Sequence, residues 1–528
     1  MTSATIRQIL RSRTTATPDE PFVKCGDAWM TFRELDEASD RAAAGLASLG
    51  VTKGDRIGFF LSTSEELIVL FFACFKVGGV FVPLNIYLKG QFLDYQLRDS
   101  GVSALVVDDA GLDAALAVLD HVDVKRLVLV GKADAERAHE VVPYATLVSS
   151  TEPVPGDVRR PRELAAILYT SGTTGAPKGC MLPEGYLVQL PQAQRAGGWA
   201  EPGDRIFTSY PMFHISGVSA LLSALINDAT ICFSPTFSAS TFMATAKAEG
   251  ATVVYGVGSM AMAILAQPSS PTDAECAMRM SLWVPLKIEQ QEEFERRFNT
   301  PVIADAYGQT EVSPFCMSSV GGERKRGSAG QCVTYLQMAV VDDDDMEVPP
   351  GTVGEIVVRP ANADVFFFQG YWNNPDATLE SFRNLWHHTG DYGYVDNDGY
   401  VFFVDRKKDS VRRRGENVSS FEVEAVILEH PGIIQVAITA VPSPLGEDDI
   451  RASVVTAADV TLESEDLFEF LRDQLPYFAI PRYVDIRESL PVNAMGRVMK
   501  DTLREEGVTE SAWDFEALGF TVPRDERR

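Results

Sequence analysis

From residue 31 to residue 308, strand-like apolar runs alternate with helix-like segments. Such alternation argues for α/β layers with mostly parallel sheets, because each helix returns the chain to lay the next strand beside the last. The stretch TFRELDEASDRAAAGLASLG (31–50) sets Phe32, Leu35, Ala42, Leu46 and Leu49 on one helical face. Thr31 and Glu34 form a capping box, and Gly50 ends the helix. Strands are expected at 56–61, 80–84, 103–108 and 126–130, with a buried helix between the first two and another helix near 91–99. After a proline-containing link at 151–161 the alternation resumes. LAAILYTS, RIFTSYP, ATICFS, ATVVYGV and PVIADAYG all read as strands.

Near residue 326 the pattern changes to hairpin-type β structure in MAVVDDDDMEVPPGTVGEIVVRP, closed by GYVFFVDRKKD (399–409). The run Asp342–Asp345 lacks the spacing of a calcium loop and reads as a charged hairpin turn. The tail has its own β/α set. Ser419 and Glu422 make the capping box of a helix stopped by Pro431-Gly432, and IIQVAITAV, RASVVTA and YVDIRESL are strands. The expected division is therefore an N-terminal domain, 1–404, and a C-terminal domain, 405–528, with a hinge at Asp405. A chain of 528 residues exceeds what one compact core organises.

A formal charge of −27 disfavours nucleic acid and anionic membrane as partners. The apolar window Leu67–Val82 is broken by Lys76 and Gly78-Gly79 and is too short to span a bilayer. Seven scattered cysteines (25, 74, 180, 232, 276, 316 and 332), with no C-x-x-C pair, fit reduced thiols. The N-terminus carries no apolar targeting core, so a cytoplasmic location is expected.

Five motifs carry chemistry. YTSGTTGAPKG, Tyr169 to Gly179, offers backbone N–H groups, hydroxyls and one lysine to phosphate oxygens. It is not the P-loop pattern, since Pro177 stands where the second glycine belongs. YGQTE (307–311) follows a strand, where open α/β sheets bind ligands. Tyr307 can stack on a base, Thr310 can bond a phosphate, and Glu311 supplies an oxygen suited to Mg²⁺. HTGD (388–391) sets a carboxylate in a tight turn that suits ribose hydroxyls. The last two are DRKKDSVRRRGENVSS (405–420) and LPVNAMGRVMKDTLR (490–504).

With all five in order, the chain resembles the acyl-adenylate-forming superfamily of acyl-CoA synthetases, peptide-synthetase adenylation domains and beetle luciferases. PLNIYLKG (83–90), RRRGENVSS (412–420) and AWD (512–514) look like its carnitine/crotonobetaine-CoA ligase type. The resemblance implies an N-terminal domain of two αβαβα-like lobes plus a β-barrel, and a small mobile α+β C-terminal domain. It implies ATP, Mg²⁺ and coenzyme A, with AMP as product. The partners are a small-molecule acid, ATP and CoA; a homodimer is compatible with it.

Carried over by position, Thr170, Ser171, Gly172, Thr173, Thr174 and Lys178 would hold the β- and γ-phosphates. Tyr307 would stack near adenine and Thr310 would touch the α-phosphate. Glu311 would bind Mg²⁺, Asp391 the ribose hydroxyls, and Arg406 would lie near ribose and phosphate. His214 in PMFHISG would gate the acyl carbonyl. Gly415, Glu416 and Asn417 would enter the site for thiol transfer. Arg497 would stand where the family usually has its catalytic lysine, with Lys500 as the motif's second basic residue.

Two further departures from the family pattern stand out. Trp283 and Val284 replace small residues before a helix, and a tryptophan there would narrow the acyl pocket, predicting a small acid or an unusual orientation of it. Pro183-Glu184 replaces a frequent Ser/Thr-His pair. His387-His388 reads as an incidental pair, and Arg412–Arg414 as a solvated or CoA-phosphate-facing strip. The expected function is ATP-dependent activation of an acid as an adenylate, then transfer to a thiol, most readily that of CoA. Transfer to a carrier protein or an amine (including nitrite-dependent diazotisation of an arylamine) and a non-catalytic nucleotide-binding relative are the alternatives.

Overall fold

A computed structural model describes residues 4–132, 141–150, 159–170, 176–276, 278–342, 344–406, 410–414, 416–443, 446–458, 460–491, 498, 500–523 and 527, without the side chains of 404–406, 410, 417, 419, 421 and 501. The chain divides into two compact units. One comprises Met1–Ile86, Asp94–Tyr169 and Gly179–Asp405; the other comprises Tyr87–Leu93, Thr170–Lys178 and Arg406–Arg528.

The larger unit holds two seven-stranded sheets. The first runs Val141–Pro143, Arg126–Val130, Ala104–Asp108, Arg56–Phe60, Val80–Pro83, Leu164–Thr170 and Lys178–Pro183. The second runs Val302–Ile303, Met280–Val284, Val253–Val257, Arg205–Thr208, Thr230–Phe233, Pro21–Cys25 and Trp29–Thr31. Its first six strands pair in parallel. The N-terminal strand Pro21–Cys25 thus crosses to a sheet whose other members lie beyond residue 200, matching Val23 to Ile231.

The helix Phe32–Ser48 begins as its residues dictate. Thr31 accepts from the Glu34 amide, and Glu34 accepts from the Thr31 amide at 2.8 Å. Its apolar face, with Leu35, Ala42 and Leu46, is buried. The apolar helix Glu65–Val77 stops at Gly78, whose φ of 78° is the left-handed conformation that glycine adopts without a Cβ penalty. Among the described residues no helix is long and apolar enough to cross a membrane.

The expected strand PVIADAYG divides in two. Val302–Ile303 belongs to the parallel sheet, whereas Ala306–Gln309 turns into an antiparallel pair with Val312–Met317. The break falls at Asp305, buried and held by Arg324 at 2.6 Å while its carbonyl accepts from the Ser318 amide. Beyond it, Leu336–Val341, Gly354–Pro360, His387–Val395 and Val401–Arg406 form an antiparallel half-barrel. The acidic run makes the hairpin turn: the Asp342 carboxylate accepts from the amides of Asp344 and Met346.

The smaller unit has the sheet Ile433–Pro442, Asp448–Thr456, Tyr483–Arg487 and Trp513–Asp514, and the hairpin Ser410–Arg413 with Glu416–Ser419. The helices Ser420–Ile427 and Ser464–Gln474 cover its core, which includes Val426, Ile438, Leu467 and Phe515. The side chain of Ser419, and so the expected capping box, lies outside the described residues.

Candidate active site

Both parallel sheets reverse strand order at their centres. In the second, Arg205–Thr208 lies between Thr230–Phe233 and Val253–Val257, so the chain continues on opposite sides of it. Crevices open at the carboxyl ends of strands at such points. His214 stands there, at the N-cap of the helix Ile215–Ile226, with its ring 4.7 Å from that of Phe213.

The strand Leu164–Thr170 delivers the glycine-rich loop, and Lys178 opens the next strand. The Thr170 hydroxyl donates to the Lys178 carbonyl at 3.4 Å, closing the base of the loop. Ser171, Gly172, Thr173, Thr174 and Gly175 lie outside the described residues. Gly179 is constrained by packing, because a Cβ there would come within 2.7 Å of Ile167 Cγ2. Two backbone bonds, Trp372 amide to Gly179 carbonyl and Met181 amide to Gly370 carbonyl, zip the 370–372 segment onto this strand.

That zipper sets Tyr371 beside the second motif. Its hydroxyl donates to Glu311 Oε1 at 2.8 Å, and Glu311 is itself buried. Burial first, then the charge of Glu311, pushes the Tyr371 phenol far above its ordinary range, so it stays a donor. The Tyr186 hydroxyl holds the Thr310 carbonyl at 3.0 Å. Thr310 and Glu311 therefore sit at the tip of a hairpin fixed by two buried tyrosines.

The third motif converges on the same hairpin. Asp391 is 2% exposed, and its Oδ2 accepts from the Tyr307 hydroxyl and from Gln309 Nε2, the latter at 2.8 Å. Gln309 Nε2 also donates to the Thr389 carbonyl at 2.8 Å. The turn is pinned from behind, where Gly390, at φ 71°, donates to Glu355 and Thr389 Oγ1 donates to the Ile356 carbonyl. Tyr307, Thr310, Glu311 and Asp391, predicted from motifs eighty residues apart, are thus one constellation.

His387 and His388 meet different partners. His387 is buried against Phe367, Phe368 and Phe382, and its Nε2 lies 3.4 Å from Gln309 Oε1. Burial pushes this imidazole down to about 4, so it is neutral near pH 7. His388 pairs instead with Glu355, at 3.2 Å. Motif reading missed Gln309, Tyr371, Tyr186 and His387, whose roles arise from contacts distant in sequence. Only Gln309, inside YGQTE, carried a local signal.

Trp283 lies on the sheet face away from the helix that His214 caps. Along Met280–Val284 the side chains alternate. Met280, Leu282 and Val284 pack on the face covered by the helix that His214 caps, and Trp283 packs on the other, against Phe242 and Phe294. There it fills the space over Gly256, where a Cβ would come 2.1 Å from its ring. The inference of a small acid therefore has no support from Trp283. The departure at Pro183-Glu184 has a structural reason. Glu184, 1% exposed, accepts from the Ile6 amide at 2.6 Å and pairs with Arg159, pinning the N-terminal helix.

In the smaller unit, Lys500 Nζ bonds Ser420 at 2.8 Å and pairs with Glu424 at 2.7 Å. Asn417 and Glu416 lie on the strand opposite Arg412 and Arg413, and Arg406 ends the strand Val401–Arg406. Gly415 and Arg497 lie outside the described residues. The arginine run is not one solvated strip. Arg413 is buried on Asp449 at 3.1 Å, and burial first, then Arg414, pushes its guanidinium down to about 10. Arg414 pairs with Glu516 at 2.8 Å.

The family model of the AMP-binding enzyme matches residues 10–372, and that of the AMP-binding enzyme C-terminal domain matches 422–497. A feruloyl-CoA synthase from Amycolatopsis sp is 30% identical over 499 residues, covering 93% of this chain and 97% of that protein. A crotonobetaine/carnitine–CoA ligase from Salmonella heidelberg is 29% identical over 484 residues, 90% of this chain and 93% of the other. Among solved structures, an o-succinylbenzoate CoA synthetase from Bacillus subtilis, bound to a product analogue, aligns with TM-score 0.82 and 27% identity over 94% of this chain and 97% of that one. An amide bond synthetase from Marinactinospora thermotolerans shares the fold, with TM-score 0.83 at 23% identity over 94% of this chain and 99% of its own. The chain belongs to the AMP-binding enzyme family, as an ATP-using, AMP-forming ligase of the acid–CoA class.

Proposed function

We propose that this chain binds ATP with its ribose on Asp391 and its adenine beside Tyr307, and activates a carboxylic acid at the crevice by His214. The observation that carries this reading is the buried Asp391 carboxylate with Tyr307 and Gln309 donating to one of its oxygens. Two donors orient the group, and a carboxylate is an acceptor suited to sugar hydroxyls. The acid's oxygen attacks the α-phosphorus, the bond to pyrophosphate breaks, and an acyl adenylate results. The thiol of CoA then attacks the acyl carbon and AMP leaves. Thr170, Lys178 and the glycine-rich loop between them would hold the departing phosphates, and Thr310 would touch the α-phosphate.

Glu311 is the residue that would hold Mg²⁺. The fit is chemical: Mg²⁺ is usually bound through one or two carboxylates plus substrate phosphates, and Glu311 is a carboxylate already oriented by Tyr371. The ion would supply neutralisation of phosphate charge. Arg497 and Lys500 are proposed to act in the first half-reaction, and Gly415, Glu416 and Asn417 in the second. Arg406 is proposed to lie near ribose, and the unit after Asp405 to turn between the two steps. The division of the compact units at Asp405 supports that hinge. The fully buried Cys74 and Cys316, both free thiols, support a cytoplasmic location, and light scattering tests for a homodimer.

The test is Asp391→Asn assayed by acid-dependent pyrophosphate release. It should raise the KM for ATP at least about tenfold and erase the preference for ATP over 2′- and 3′-deoxy-ATP. An unchanged preference refutes the ribose assignment.

A further inference from the structure

The mechanism above gives His387 no task, yet it sits one hydrogen bond from the nucleotide constellation. It is buried among Phe367, Phe368 and Phe382, where a leucine or phenylalanine would be the ordinary occupant. Burying an imidazole costs free energy unless its polar atoms find partners. Its Nδ1 has none among the described residues, whereas Nε2 faces Gln309 Oε1 at 3.4 Å. In a neutral ring only one nitrogen carries a proton, and the only acceptor in reach among the described residues places it on Nε2.

Gln309 transmits the consequence. Its Nε2 serves the Thr389 carbonyl and Asp391 Oδ2, both at 2.8 Å, so its Oε1 must point away from them, into the aromatic cage. Among the described residues His387 is the one donor that meets that oxygen. Without it a partly buried amide oxygen loses its donor, and the side chain gains reason to swing out and release Asp391.

We propose that His387 is a positioning residue for ATP: through Nε2–H it holds Gln309 in the orientation that presents the Asp391 carboxylate to the ribose. This rests on the ribose reading of Asp391. It acts on nucleotide binding in the ground state and the transition state alike, so its signature is in KM for ATP rather than in kcat.

The experiment is a double-mutant cycle on the full chain. It uses His387→Leu, Gln309→Leu and their combination, with His387→Gln as the variant whose amide can place an N–H where Nε2 stands. Leucine matches the imidazole in volume, which limits packing loss. Pyrophosphate release is measured against ATP, 2′-deoxy-ATP and 3′-deoxy-ATP, with thermal melting alongside. His387→Leu should raise the KM for ATP roughly fivefold to tenfold with kcat little changed. His387→Gln should return it to within about twofold, and His387→Leu should add less than about twofold on the Gln309→Leu background.

Equal effects of His387→Leu in both backgrounds, or a His387→Gln that behaves like His387→Leu, would overturn the proposal even if melting falls, because packing alone is blind to both comparisons. If Asp391→Asn erases ribose discrimination and His387→Leu leaves KM for ATP unchanged, the inference alone fails. If Asp391→Asn retains discrimination, the ribose reading fails and takes the inference with it.

Discussion

Trp283 separates two accounts of this enzyme's acid pocket. If the indole lined the pocket, Trp283→Ala would enlarge it and admit longer acids. Its position says otherwise. The ring is fully buried, 5.1 Å from Phe294 and 6.0 Å from Phe242, on the sheet face opposite the helix that His214 caps. Truncating a buried aromatic to alanine costs about 3–5 kcal/mol. The indole N–H meets no acceptor among the described residues, so removing it returns part of that loss, and about 3 kcal/mol is expected for Trp283→Ala. Trp283→Phe keeps a ring and drops the unpartnered donor, and should cost roughly 1 kcal/mol. The assay is urea unfolding followed by circular dichroism, with pyrophosphate release across straight-chain acids of increasing length at a temperature where each variant is folded. The account expects lower midpoints, in that order, and an unchanged length profile. A Trp283→Ala protein of near-native stability that accepts longer acids would refute the reasoning.

Two further outcomes follow from buried groups. Tyr371→Phe removes a 2.8 Å bond to the Glu311 carboxylate, and since bonds to charged groups are worth about 1.5 kcal/mol or more, kcat/KM for ATP should fall roughly tenfold at saturating Mg²⁺; no change would detach Tyr371 from the site. Burial depresses His387 from an ordinary 6.5 to about 4 in the folded state, so the unfolded chain binds its proton more readily between those values. Its stability contribution is therefore complete above pH 6.5 and is lost as pH falls through 4, and His387→Leu should show a shallower loss across that window in urea midpoints than the parent.

Local chemistry made much of this legible. The Thr31–Glu34 capping box depends on neighbours a few residues away, and it stands where spacing puts it. So do the strands Arg56–Phe60, Ala104–Asp108 and Arg126–Val130, whose apolar runs need only a sheet to enter. What escaped depends on partners far along the chain. The strand PVIADAYG divides because Asp305 finds Arg324, and no periodicity announces that. Pro21–Cys25 joins the second sheet through residues two hundred positions later. The side that Trp283 faces follows from sheet register, which a one-residue shift would invert.

The site repeats the lesson. Motifs supplied Tyr307, Thr310, Glu311 and Asp391, but the groups that orient them came from folding. Tyr371 arrives by pairing of its segment with the strand Lys178–Pro183, and His387 by an aromatic cage. The arginines at 412–414 read as a single basic strip only until Asp449 is seen to hold Arg413, and Glu516 to meet both Arg413 and Arg414.

The most direct measurement follows the fate of ATP. Purified protein is mixed with ATP, Mg²⁺ and a panel of carboxylic acids, with and without CoA, and nucleotides and thioesters are separated by chromatography. The account predicts AMP and pyrophosphate in equal amounts, only when a suitable acid is present, and an acyl-CoA thioester matching AMP when CoA is added. ADP with inorganic phosphate, or AMP formation indifferent to every acid, would contradict it.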